Sequence, residues 1–228
     1  MSAKVLNLSP GPRPARVTLE GRRVRVEPLQ AAKHAQSLYE QIGGTGNDSL
    51  WTYMGSGPYP DYRIFEAAIR KNAESEDPLF FAIVDPRTGD SLGYASFLRI
   101  EPNHRVIEVG HIVYGTVLQR TPRATEAMYL MARYVFEELR YRRYEWKCDA
   151  LNKRSRRAAL RLGFQFEGIF RQHMIVKGRN RDTAWFSMLD REWSERKQNF
   201  ERWLAPENFD AEGQQRTSLS QLNARVTR

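Results

Sequence analysis

The sequence predicts an α/β chain of the mixed α+β kind: a twisted, mostly antiparallel mixed sheet flanked by helices. Three observations carry that expectation. Strand candidates in the first half follow one another through short turns, strands and helices alternate in the second half, and residues 122–139 form a clear amphipathic pattern. In that pattern Ala127, Met128, Met131, Ala132, Val135, Phe136 and Leu139 share one helical face, as ordinary core packing requires.

Taken in order, residues 1–16 hold three prolines without periodicity and predict a flexible arm. Residues 17–29 alternate apolar and polar around Gly21, as in a bent strand pair, and 31–41 read as a short helix. The segment 43–60 is rich in Gly, Ser, Asn and Pro yet carries Trp51, Tyr53, Met54 and Tyr59, which is unusual for a plain linker. Ile64, Phe65, Ala68 and Ile69 recur at helical spacing in 61–73, with Asp61 as the cap. Residues 79–84 are a buried strand, 85–90 a hairpin turn, 92–100 its partner and 106–114 a further strand. Beyond the long helix come strand 144–150, helix 155–162, strand 164–175, a turn at 177–180 and strand 181–189. Residues 191–204 form a last helix bearing Trp193, Phe200 and Trp203, so one domain spans 17–204, and the polar segment 205–228 is expected to be disordered.

Composition narrows the function classes. Hydrophobic residues make up 41% and aromatics 11% of the 228 residues, which excludes a disordered chain and allows one substantial core. No apolar run approaches the ~18 residues of a membrane span and the first fifteen residues lack a signal-peptide core, so a soluble, cytoplasmic protein with no membrane partner is expected. The one cysteine, Cys148, excludes an internal disulfide and reads as a buried small hydrophobe in its strand. A net charge of +9 is compatible with nucleic acid, but the sequence has no nucleic-acid motif, and nucleic acid is not an expected partner. A polyanionic ligand accounts for part of the charge more economically.

Two helix starts point to such a ligand. Gln119-Arg120-Thr121-Pro122-Arg123-Ala124-Thr125-Glu126-Ala127 sets a turn with two arginines at a helix N-terminus, where free N–H groups and the helix dipole favour phosphate. About thirty residues on, Asn152-Lys153-Arg154-Ser155 caps a second helix that stops at Leu162-Gly163-Phe164. This order of strand, glutamine-led loop, helix, strand, Asn-x-x-Ser, helix and Leu-Gly-Phe resembles the GNAT superfamily of N-acetyltransferases. The likeness covers residues 17–190 and is strongest to the ribosomal-protein-alanine acetyltransferase branch.

The resemblance implies a sheet whose middle strands, here 106–114 and 144–150, splay apart around acetyl-CoA, the acyl donor. It implies that Gln119, Arg120, Thr121, Arg123, Ala124 and Thr125 hold the diphosphate and Asn152 the pantetheine arm. Backbone N–H groups near Ile112 and Val113 would stabilise the oxyanion, and Ser155 would protonate the departing thiol. The family usually has glycine where this chain has Pro122, which removes one N–H that Arg120 and Arg123 could offset. Acetyl transfer to an amine needs a base and no metal. Glu108, in a partly apolar strand, is the first candidate and matches the branch's strand glutamate; His111 is the second. A solvated Glu108 on the outer side of the strand is the alternative. Trp51, Tyr53 and Tyr59, with His173 and Met174, are candidates for the acceptor pocket, or equally for packing under a long loop. The acceptor is expected to be a small amine or a protein N-terminus, and the resemblance allows a homodimer. A non-catalytic acyl-CoA-binding module is the competing function.

Overall fold

The computed structural model describes residues 9–224. Its sheet has eight strands, β1 (Leu19–Glu20), β2 (Arg25–Pro28), β3 (Leu79–Val84), β4 (Ser91–Glu101), β5 (Val106–Tyr114), β6 (Arg143–Asp149), β7 (Gln165–Val176) and β8 (Arg179–Leu189). They lie in the order β1-β2-β3-β4-β5-β6-β8-β7. Only the β5–β6 pairing is parallel among these neighbours, so the sheet is mixed and mostly antiparallel as the sequence predicts.

Helices α1 (Ala31–Ile42) and α2 (Tyr62–Glu74) cover the β2–β5 part of one face, where Leu38, Ile42, Phe65 and Ile69 pack on Phe80, Ala82, Tyr94 and Val113. The other face is larger. There α3 (Pro122–Arg133), α4 (Lys153–Arg161), α5 (Asp190–Leu204) and α6 (Leu219–Ala224) bury Met131, Ala159, Trp193, Phe200 and Leu219 against Phe97, Ile107, Tyr144 and Phe186. Full burial of each such side chain contributes about 1.5–3 kcal/mol, so the two cores dominate stability. Among the described residues no helix covers the β6–β8 end of the α1/α2 face, where Glu108, Glu145 and Lys147 collect. Among the described residues no helix is long and apolar enough to cross a membrane.

Local chemistry sets the helix starts that matter most. Thr121 Oγ1 accepts from Ala124 N–H at 3.3 Å with Pro122 at the first helical position, Asp61 Oδ1 accepts from Ile64 N–H at 3.1 Å, and Asn152 Oδ1 accepts from Ser155 N–H at 3.0 Å. The long helix predicted over 122–139 widens after Arg133 into a single π-type turn, Tyr134–Glu138. Gly163, with φ of +96°, ends α4 in the left-handed region.

Both termini differ from the sequence expectation. Residues 1–8 of the predicted arm lie outside the described residues, but Gly11 N–H donates to Pro102 O at 2.9 Å and Ala15 N–H to Tyr134 Oη at 3.0 Å. The arm's last residues are therefore laid along the domain. The expected disordered tail is corrected over 205–224. Leu219 and Leu222 are buried in the larger core, and Asn223 Nδ2 donates to Arg161 O at 2.9 Å. Two leucines three apart were too little periodicity to mark this helix in a polar segment. Residues 225–228 lie outside the described residues.

Candidate active site

The site begins with a bulge. Tyr94 pairs with Val113 and Ser96 with Gly110, so Ala95 of β4 faces both His111 and Ile112 of β5, and His111 takes a φ of +48°. The extra residue shifts the side-chain phase. Ile107 and Val109 point into the larger core before it, Ile112 packs against that core after it, and Val113 points to the α1/α2 side. Gly93 permits the close approach here, since a Cβ would lie 2.5 Å from Val113 O.

Beyond the bulge β5 leaves β6. Their parallel ladder runs from Val106↔Arg143 to Val109↔Trp146 and then stops. Residues 110–114 consequently have no strand partner on the β6 side, and their backbone groups, Ile112 and Val113 included, border a cleft that opens toward the starts of α3 and α4. This is the splay expected between 106–114 and 144–150, confined to the strands' second halves.

On the α3 side of the cleft, Gln119 Nε2 donates to Tyr114 O at 2.8 Å and so ties the loop to the end of β5. Arg120 is exposed with φ of +60°, and among the described residues its backbone N–H and that of Arg123 have no acceptor. Ala124 N–H is spent on the Thr121 cap. Two of the sequence-predicted side chains are engaged elsewhere. The Arg123 guanidinium pairs with Asp85 at 2.8 Å, and Thr125 Oγ1 accepts from Arg161 Nη1 at 3.0 Å. The Arg123 head therefore bridges Asp85 of the β3–β4 turn and Val117 O of its own loop, at 3.3 Å, rather than standing free. Arg87 chiefly, and Arg123 to a smaller extent, hold the Asp85 carboxyl below the usual carboxylate range.

On the α4 side, Ser155 Oγ accepts from Trp146 Nε1 at 2.9 Å and lies beside Cys148. Burial pushes the Cys148 thiol up, which keeps it protonated and unreactive. Ala159, one turn after Ser155 on α4, is fully buried in the core.

Glu108 lies on the α1/α2 side, 5% exposed, and is not the solvated residue of the alternative reading. Its Oε2 is 3.1 Å from Lys147 Nζ and 3.1 Å from Arg99 Nε. Lys147 also pairs with Glu145 at 2.7 Å, and Glu145 with Arg143 at 2.6 Å. Burial raises the Glu108 pKa, opposed by Lys147 and then Arg99. His111 packs tilted against Phe80, ring centroids 5.3 Å apart, with Nδ1 2.9 Å from Ser96 Oγ; burial, then Arg181, lower its pKa.

The three acceptor-side aromatics separate. Trp51 is 1% exposed, donates to Ile42 O at 2.8 Å and takes the edge of Tyr59 at 4.9 Å, so these two pack under the loop. Tyr53 alone projects, its Oη donating to Leu151 O at 3.3 Å across the cleft mouth. Sequence reasoning missed Arg99, Lys147 and Trp185, since only the cross-strand register brings them beside Glu108.

The profile of a family described as "Acetyltransferase (GNAT) domain" matches residues 23–165. The chain is similar to a GCN5-related N-acetyltransferase of Brucella melitensis, 49% identical over 96% of this chain and 100% of that one, with a TM-score of 0.94. A GNAT-family structure from Chromobacterium violaceum is 36% identical over 85% of this chain and 96% of its own, with a TM-score of 0.79. A Bacillus subtilis protein provisionally named a ribosomal N-acetyltransferase is 30% identical over 46% of this chain; the match spans 57% of that relative, so only about half of its length is shared. With the bulged β5, the splay beside it and the two helix starts above it, the match over more than half of its length means that this chain belongs to the GNAT acetyltransferase family.

Proposed function

We propose that this protein transfers the acetyl group of acetyl-CoA to a primary amine by direct attack, with Glu108 as general base. The observation that supports it most is Glu108 itself, a buried carboxylate on a bulged strand beside a cleft flanked by two helix N-termini. Acetyl-CoA fits what borders that cleft. The α3 start offers the uncommitted N–H groups of Arg120 and Arg123 and the exposed Arg120 side chain for a diphosphate. Asn152 and Ser155 lie at the α4 start for the pantetheine and thiol end.

In this reading Glu108 takes the proton of the attacking ammonium, directly or through one water. Backbone N–H groups of 112–114, free on the β6 side, stabilise the oxyanion, and the Ser155 hydroxyl donates to the leaving sulfur. The acceptor is a small amine or a protein N-terminus. The ribosomal name carried by the Bacillus subtilis relative favours the second; the roofed cleft favours the first. The test is release of CoA on a panel of amines and N-terminal peptides, beside calorimetric titration with acetyl-CoA. Turnover that Glu108→Gln abolishes while acetyl-CoA still binds supports the proposal. Binding with no turnover on any acceptor sinks it and leaves the non-catalytic acyl-CoA module.

A further inference from the structure

The uncovered β6–β8 end of the α1/α2 face holds, among the described residues, a guanidinium with a buried N–H that has no acceptor. Trp185 lies against Lys147, whose Nζ is 3.7 Å from the ring centroid, and two residues back Thr183 Oγ1 is 2.9 Å from His173 Nδ1. Side chains alternate along a strand, so Arg181, two residues further, shares that face, opposite Met174 of β7. Its Nε is buried, and among the described residues Arg181 makes neither a hydrogen bond nor an ion pair.

The surrounding charges are otherwise balanced. Arg99 and Lys147 hold Glu108, and Arg143 holds Glu145 and Glu167. Further carboxylates are engaged elsewhere, Asp149 on Leu151 N–H, Asp77 on Arg99 and Ile100 N–H, and Asp182, next to Arg181 in the chain, on Gln172 N–H and Asn180 Nδ2. Burial and then Arg181 lower the pKa of His111, at the throat of the cleft, and burial, then Arg99, then Arg181 lower that of His173. The end of the face near the cleft is thus electropositive and its histidines are held neutral.

A roof limits what enters. Tyr53 Oη reaches Leu151 O, and Lys177 Nζ donates to Trp51 O at 3.0 Å, so the loop between α1 and α2 is tied both to the β6–α4 connection and to the β7–β8 turn.

We infer that the acceptor is a small zwitterion, an amine carrying its own carboxylate in the manner of a free amino acid, with the carboxylate on Arg181 and the amine toward Glu108. A planar guanidinium matches a carboxylate with two parallel hydrogen bonds, and a buried N–H without an acceptor is relieved when one arrives. A polyamine meets the same cations with no compensating charge, and a peptide N-terminus carries a neutral amide in place of the carboxylate. The inference rests on the amine acetylation proposed above and narrows its substrate.

The test compares the free amino acids with their amides, the matching monoamines, spermidine and N-terminal peptides, by CoA release under acetyl-CoA saturation. At least one amino acid should exceed its amide by about tenfold or more in kcat/KM, chiefly through KM. Arg181→Gln should bring that ratio near one while acetyl-CoA affinity, read by calorimetry, is kept, and Arg181→Lys should retain part of it. Should Arg181→Gln fail to fold, the Arg181→Lys ratio decides. Amides, monoamines, polyamines or peptides used as well as or better than amino acids overturn the inference while amine acetylation stands. Acetyl-CoA binding with no acceptor turned over overturns both.

Discussion

Lys147 and Glu108 join two strands that are about to part: Nζ lies 3.1 Å from Oε2, one residue past the last position before the β5–β6 ladder ends. The side chain of Lys147 is 4% exposed and lies over Trp185, so the ammonium is held at the carboxylate by packing as well as by charge. A buried carboxylate alone would take up a proton; the lysine keeps it closer to the ionised form that a base requires.

Lys147→Met therefore removes the largest opposing influence on a desolvated carboxyl. The rising limb of the kcat/KM against pH profile should move to higher pH, and the fold should lose about 3 kcal/mol because one partner of a buried pair is left. A profile unchanged in position would mean that the lysine does not govern the charge of Glu108.

Ser155→Ala deprives the Trp146 indole N–H of its acceptor, at a cost of about 1 kcal/mol in unfolding free energy. If the hydroxyl also protonates the leaving sulfur, kcat should fall by at least about tenfold with little change in acetyl-CoA affinity. Stability loss with full kcat would reduce Ser155 to a packing partner of Trp146.

Asp85 gathers Arg87 and Arg123 at the turn below α3, and its folded pKa lies under the ordinary 3.8. A lowered carboxylate pKa contributes stability above the unfolded value and loses it as pH falls through the folded one. Asp85→Asn should therefore lower the melting temperature by about 2 °C near neutral pH, with the gap to wild type closing as pH falls below the ordinary 3.8 and through the lowered folded value. A gap that stays constant on acidification would assign the loss to something other than this ion pair.

Leu222→Ala should lower unfolding free energy by about 2–3 kcal/mol, since the side chain is 5% exposed in the larger core. An unstructured tail would show a change within about 0.5 kcal/mol, read by urea unfolding.

These residues also show what the sequence could and could not say. Asn152, Thr121 and the apolar stripe of α3 are local signals, set by caps and periodicity, and they gave the helix starts and the order of strands. The bulge at His111 is not local. A non-glycine residue at positive φ is imposed by the register on β4, and no nearby residue announces it. Lys147, Arg99 and Arg181 each read as one of many basic residues until the strand pairing brings them to one face. Composition could not divide Trp51 from Tyr53, because a loop that packs and a loop that roofs a cleft use the same aromatics. The tail was misread for a similar reason, since its buried contacts are with α4 and α5, far away in sequence.

The most direct measurement is kcat/KM against pH on an amine acceptor for wild type and Glu108→Gln, with acetyl-CoA binding followed in parallel. Glu108 as base predicts a rising limb with its midpoint above the ordinary glutamate value of 4.5, and in Glu108→Gln a loss of about 100-fold or more together with that limb, while acetyl-CoA still binds. Full activity in Glu108→Gln with the limb unchanged would contradict the account and transfer the base to another group, His111 first.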